Sequence, residues 1–183
     1  MATLKARPRK TAEDFMALPP GTLAELIEGE LLIVSPSPVE RHQSAVGQLF
    51  MAMGYYLKGR PLGRLFLAPF DVHLPSGDIV EPDLVFVASA NLGIIQRWIY
   101  GAPDLLIEVV SPDGAARDRL VKRTLYARNG VREYWLVDPE ERSVEVLGLS
   151  GSLYVPLSFL REPAVLTSPL LPGFELPLSE IFA

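Results

Sequence analysis

The chain has 183 residues, 49% of them hydrophobic, with no cysteine and a formal net charge of −5. That excludes a disordered chain, a disulfide framework and cysteine-ligated metals, and the acidity argues against broad, non-specific nucleic-acid binding. The apolar runs are too short to span a bilayer, and the basic start, Met1 to Arg9, has no apolar stretch behind it. We therefore expect a cytoplasmic protein with no membrane segment, folded as one domain over residues 1–183.

Thr11 to Leu18 is predicted as a short helix, with Thr11 as N-cap, Asp14 at the capping-box position and Pro19-Pro20 as the stop. Leu23 to Ile27 and Glu30 to Ser35 read as a β-hairpin turning at Glu28-Gly29. Ser37 and Glu40 form a second capping box, with Pro38 at the first helical position. In the helix that follows, Val46, Leu49, Phe50, Met53 and Leu57 form a buried face, and His42 falls on the same inward side. Leu65 to Leu74 and Ile79 to Val87 read as a strand pair, and Leu92 to Tyr100 as a short helix. Leu105 to Val110 is a compact apolar strand, interior to its sheet. Gly114 to Asn129 is predicted helical with Gly130 as the stop, and Tyr134 to Val137 and Ser143 to Leu149 as strands around Asp138-Pro139. Strand, helix and strand in this order favour parallel pairing of the flanking strands. The fold class is thus α/β (α+β), a central mixed sheet flanked by helices. The core falls at about 11–155 with a packing arm at about 156–183, and the apolar, proline-broken tail from Leu153 to Phe182 suggests a homodimer.

Glu108 carries the most chemical information. It interrupts Leu105-Leu106-Ile107 and Val109-Val110 in a strand that should be buried, where an ionised carboxylate costs several kcal/mol unless paired or bound to a cation. A salt bridge to a nearby arginine is the structural alternative. Asp83, at the head of Leu84-Val85-Phe86-Val87, is a second carboxylate that could equally be a strand-entry turn residue. Two acids delivered to neighbouring strand ends repel each other, and a hard divalent cation, Mg²⁺ or Mn²⁺, removes the conflict. Water on such an ion is a nucleophile for attack on phosphorus. Six basic residues between Gly114 and Arg132, among them Arg117, Arg119 and Arg123, form either a solvated helix face or a patch that contacts nucleic-acid phosphates.

Pro82-Asp83 followed by Glu108 in an apolar strand resembles the PD-(D/E)xK nuclease superfamily, the restriction-endonuclease-like fold. More narrowly, the chain is similar to the Uma2 family. The matching stretches are Glu25 to Glu30, Ser35-Pro36 with Glu40-Arg41-His42, Glu81-Pro82-Asp83, Pro103 to Pro112, and Gly130 to Pro139. The resemblance implies a metal-dependent endonuclease, an Mg²⁺- or Mn²⁺-dependent hydrolase of nucleic acid, with DNA the expected substrate. It implies that Asp83, Glu108 and the Val109 carbonyl hold the metal, and it places Glu25 and His42 in the same cleft. His42 could equally be a satisfied core residue, and Glu28 is better explained by the hairpin turn. One departure matters. The superfamily's lysine two residues after the glutamate is replaced by Val110, so another cation must serve the scissile phosphate. Lys122 is the candidate, in line with Asp118 and Tyr126 and away from the Leu120, Thr124 and Ala127 stripe. That role requires the Lys122 line to face the site; the alternative is a solvated lysine paired with Asp118. The competing function is a non-catalytic module that keeps the fold and binds nucleic acid or protein, favoured by the net acidity and the absent strand lysine. A glycosidase carboxylate pair would leave Lys122 without a role.

Overall fold

Thr11 caps the first helix, α1 (Ala12–Met16), by the box predicted for it: its hydroxyl accepts from the Asp14 N–H, and the Asp14 carboxylate accepts from the Thr11 N–H. Positive φ at Glu28 (52°) and Gly29 (79°) is the signature of the tight turn that joins β1 (Ala24–Ile27) to β2 (Glu30–Ile33). The computed structural model describes residues 8–33, 39–111 and 117–183, so the Ser37-Pro38 helix start lies outside the described residues. Helix α2 (Glu40–Leu57) buries His42, Ala45, Val46, Leu49, Met53 and Tyr56, the predicted face rotated slightly from Phe50 and Leu57.

The predicted pair Leu65–Leu74 and Ile79–Val87 takes a different form. It becomes four strands: β3 (Gly63–Leu67), β4 (Val72–His73), β5 (Ile79–Val80) and β6 (Leu84–Ala88). The inner pair, β4 with β5, belongs to one sheet and the outer pair, β3 with β6, to another. Pro69 and Pro82 stand at the two crossings. A proline has no N–H for a ladder, so each marks a point where the arm can leave its sheet. The helix expected over Leu92–Tyr100 is also corrected. A single 3₁₀ segment (Ser89–Ile94) precedes a short strand, β7 (Ile99–Tyr100), which pairs parallel to β4. Gly93, the β-branched isoleucines and the aromatics favour this over an α-helix.

Strand β8 (Leu105–Val109) lies inside its sheet, between β6 and β9 (Glu133–Asp138), and every residue of it is buried. It runs antiparallel to β6 and parallel to β9, as the strand–helix–strand order predicts. Between them α3 (Arg123–Arg128) follows a wider π-helical segment (Arg117–Lys122), and Gly130 at φ 87° ends it. The part of the predicted helix before Arg117 lies outside the described residues. Strands β10 (Ser143–Ser150) and β11 (Leu153–Arg161) complete a six-stranded mixed sheet in the order β11-β10-β9-β8-β6-β3. The second sheet is β2-β1-β5-β4-β7.

Alternation along the six-stranded sheet separates two apolar layers. Phe86, Ile107, Trp135 and Val146 face α2; Val85, Leu106, Leu136 and Leu147 face α3 and the second sheet. The terminal hairpin β12 (Val165–Ser168) and β13 (Leu171–Pro177), with α4 (Leu178–Ile181), closes the α2 layer. The buried apolar residues of this hairpin are thus used inside the chain, whereas Leu153, Val155, Leu157 and Phe159 of β11, in the same tail, stay exposed. No described helix is long and apolar enough to cross a membrane.

Candidate active site

Strand register brings the two predicted carboxylates together. Leu84 pairs with Ile107 in the antiparallel β6–β8 ladder, so Asp83, one residue back, stands opposite Glu108, one residue on. Residues opposed in this way put their Cβ atoms on one face, about 4.5–5.5 Å apart. That face is the one covered by α3, since Asp83 shares the parity of Val85 and Glu108 that of Leu106. The Val109 N–H donates to Asp83 Oδ2 at 2.7 Å, which fixes the aspartate across the strand gap. His42 Nε2 reaches the same oxygen at 3.4 Å from the first turn of α2, and is buried, as its helical position predicts.

The helix above the site turns its charged-looking line inward. Lys122 is 5% exposed and Tyr126 fully buried, whereas Leu120 is 69% exposed. Lys122 Nζ lies 2.9 Å from Glu108 Oε1 and 2.9 Å from Glu25 Oε1. A solvated lysine is excluded. Tyr126 donates to the same Glu108 oxygen at 2.6 Å. Burial, with the adjacent Glu108 charge, raises the Tyr126 hydroxyl well above its ordinary range, so it remains a donor. Glu25 comes from β1 of the second sheet, and its Oε1 also accepts the Glu81 N–H at 3.3 Å.

Three of the groups here were not singled out from sequence. Tyr126 was visible as a neighbour of Lys122 at i+4, but its bond to Glu108 was not. Glu81 sits next to the Pro82-Asp83 pair, and burial, with the neighbouring Asp71 and Glu25, pushes its carboxyl up to about 7. Asp71, whose charge acts on Glu81, had no sequence signal at all.

The predicted phosphate patch fares differently. Arg119 pairs with Asp138 at 2.6 Å and Arg123 with Glu145 at 3.3 Å; the Arg117 side chain lies outside the described residues. Arg128 pairs with Glu28 and Asp78, and Arg132 with Asp104. The basic run is thus met by acids distant in sequence, which a local count of charges does not register.

Among the described residues no three His, Cys, Asp or Glu side chains form a ready metal cage. The donor chemistry nonetheless suits a hard cation that keeps most of its waters and takes one or two carboxylates. Glu25, Asp83 and Glu108 outnumber the one ammonium among them, Lys122, and a divalent ion would offset that excess. Asp83 Oδ1 carries no hydrogen bond among the described residues.

Opposed carboxylates on adjacent strands of a mixed sheet, overlaid by a helix that supplies the lysine, define a protein of the restriction-endonuclease-like fold. A crystal structure described as "a putative nuclease belonging to DUF820", from Anabaena variabilis, has the same architecture: TM-score 0.78 at 22% identity, over 94% of this chain and 97% of that one. No curated protein matches the chain. The model of the Uma2 family, described as "Putative restriction endonuclease", matches residues 12–179, and the chain belongs to that family.

Proposed function

We propose that this chain is a metal-dependent endonuclease of the cytoplasm that hydrolyses phosphodiester bonds in nucleic acid, DNA in the first place. The observation that carries the reading is Lys122: a buried ammonium delivered from a helix to Glu108, replacing the lysine that Val110 displaces from the strand. Asp83, Glu108 and the Val109 carbonyl would hold Mg²⁺ or Mn²⁺. Bound there, the ion supplies an activated water and neutralises charge on the phosphate. Lys122 orients the attacking water and stabilises the negative charge that develops on phosphorus, while Glu25 and Tyr126 hold Lys122 and Glu108 in place. His42 steadies Asp83. Arg117, Arg119 and Arg123 would contact the polymer by exchanging their carboxylate partners for phosphates.

The test is cleavage of single-stranded, duplex and branched DNA, and of RNA, with Mg²⁺ or Mn²⁺. Lys122→Ala should lower kcat by about 10²–10³ with little change in KM, by analogy with loss of one charge-stabilising donor. Glu108→Gln should abolish metal binding, read by calorimetry, with the fold retained. Metal binding without cleavage of any substrate would instead establish the non-catalytic module.

We also propose a homodimer, on the part of the apolar tail that stays exposed. Strand β11, at the edge of the six-stranded sheet, exposes Leu153, Val155, Leu157 and Phe159. Light scattering that gives the monomer mass of 20.1 kDa in dilute solution would dismiss it.

A further inference from the structure

At the far edge of the second sheet, β7 sets Trp98 and Tyr100 on one face and the buried Ile99 on the other. In the parallel β4–β7 ladder His73 is the direct partner of Tyr100. Their rings stack with centroids 4.7 Å apart and planes at 27°. Trp98 joins them, 5.5 Å from His73. The Arg97 guanidinium lies 4.6 Å from the centre of the Trp98 ring and has no carboxylate partner among the described residues. Tyr100 is 40% exposed.

A cluster of this kind serves packing alone when its rings are covered and its polar atoms paired. Here the outermost ring is open to solvent, the adjacent cation lacks an anion, and His73 Nε2 is buried with no hydrogen-bond partner. His73 pairs with Ile79, and Ile79 with Leu26, so the ledge lies on their face of the second sheet, while Glu25, Val72, Val80 and Ile99 lie on the other, toward Lys122. Ledge and candidate site thus belong to one sheet, and a strand passing from one to the other would cross its edge.

We propose that His73, Tyr100 and Trp98 form a stacking platform for an unpaired nucleobase, with Arg97 binding the adjoining phosphate, so that the chain selects single-stranded or distorted nucleic acid. The proposal rests on the nuclease reading for its place in catalysis, but the platform binds without metal. Every base offers a π-face, so the selectivity is for strandedness rather than sequence. Burial lowers the affinity of His73 for a proton, which keeps the ring neutral beneath Tyr100.

The experiment is titration of the full chain with a short thymidine oligonucleotide in EDTA, following tryptophan fluorescence. Trp135 is fully buried, so quenching reports on Trp98. We expect saturable quenching by the single strand and binding at least tenfold weaker to a blunt duplex of the same length. Tyr100→Ala and Arg97→Ala should each weaken binding about tenfold, and Tyr100→Phe should restore it, with thermal melts confirming that each variant folds. Equal affinity for single strand and duplex, or an unchanged affinity in Tyr100→Ala, overturns the platform whatever the cleavage assay shows. Binding that follows the platform variants in a chain that cuts nothing overturns the nuclease reading and leaves the platform standing.

Discussion

Removing the Lys122 ammonium would leave Glu25 and Glu108, 2% and 4% exposed, without the cation that lies between them. Uncompensated buried charge of this kind costs about 3–5 kcal/mol. Lys122→Met should therefore melt well below the parent in EDTA, and added Mn²⁺ should recover part of the loss by supplying a substitute charge. Equal melting temperatures in EDTA would show that the lysine is not needed to balance these carboxylates. Tyr126→Phe removes only the donor to Glu108; a hydrogen bond to a charged group contributes about 1.5–3 kcal/mol, and chemical denaturation should show a loss of that order. Glu133 supplies a pH effect. Burial raises its carboxyl above the ordinary 4.5, against hydrogen bonds from Ser168, the Trp135 indole and the Leu170 N–H. Because the folded value exceeds the unfolded one, its stabilising contribution is complete below about 4.5 and is lost as pH rises through the folded value. Glu133→Gln should flatten that decline; a stability difference between the two proteins that stays constant over the window would refute it.

At the scale of elements, legibility followed the range of the interaction. The Thr11 capping box, the Glu28-Gly29 turn and the buried β8 strand are decided within a few residues, and each stands where sequence places it. The α3 line was visible as a line, but which face it presents depends on Glu25 and Glu108 in two different sheets. The Leu65–Val87 arms read as continuous strands because prolines reveal that a ladder is interrupted, not where the chain goes next. Likewise Arg119 and Arg123 read as free charge because Asp138 and Glu145 lie far along the chain. One strand contact yields a sharp test. A Cβ on Gly63 would collide with the Val87 carbonyl oxygen and the Phe86 ring across the β3–β6 ladder. The carbonyl cannot move without disturbing that ladder, so Gly63→Ala should cost about 1–3 kcal/mol, the usual range for overpacking, by thermal melting.

Over the whole molecule, stability depends on the C-terminal hairpin as much as on the strands that carry the site. Phe174 packs edge-on against Tyr56 of α2 at 5.3 Å and stacks with Trp135 of β9 at 6.2 Å. Phe174→Ala should cost about 3–5 kcal/mol and, because Trp135 loses a neighbour, shift its fluorescence in the native baseline. A shifted baseline with an unchanged midpoint would place the hairpin outside the cooperative core.

The two sheets share a single pair of chain arms, the inner part paired in one and the outer part in the other, and Asp83 lies between the segments. The links between the two parts, residues 68–71 and 81–83, are short, so a displacement of one sheet pulls on the strands of the other. Hydrogen exchange should therefore report one protection energy for the amides of β4–β5 and β3–β6, close to that of global unfolding. The Asp83 carboxylate, at the crossing, is then kept from wandering by the cooperativity of the whole β-structure as well as by the Val109 N–H.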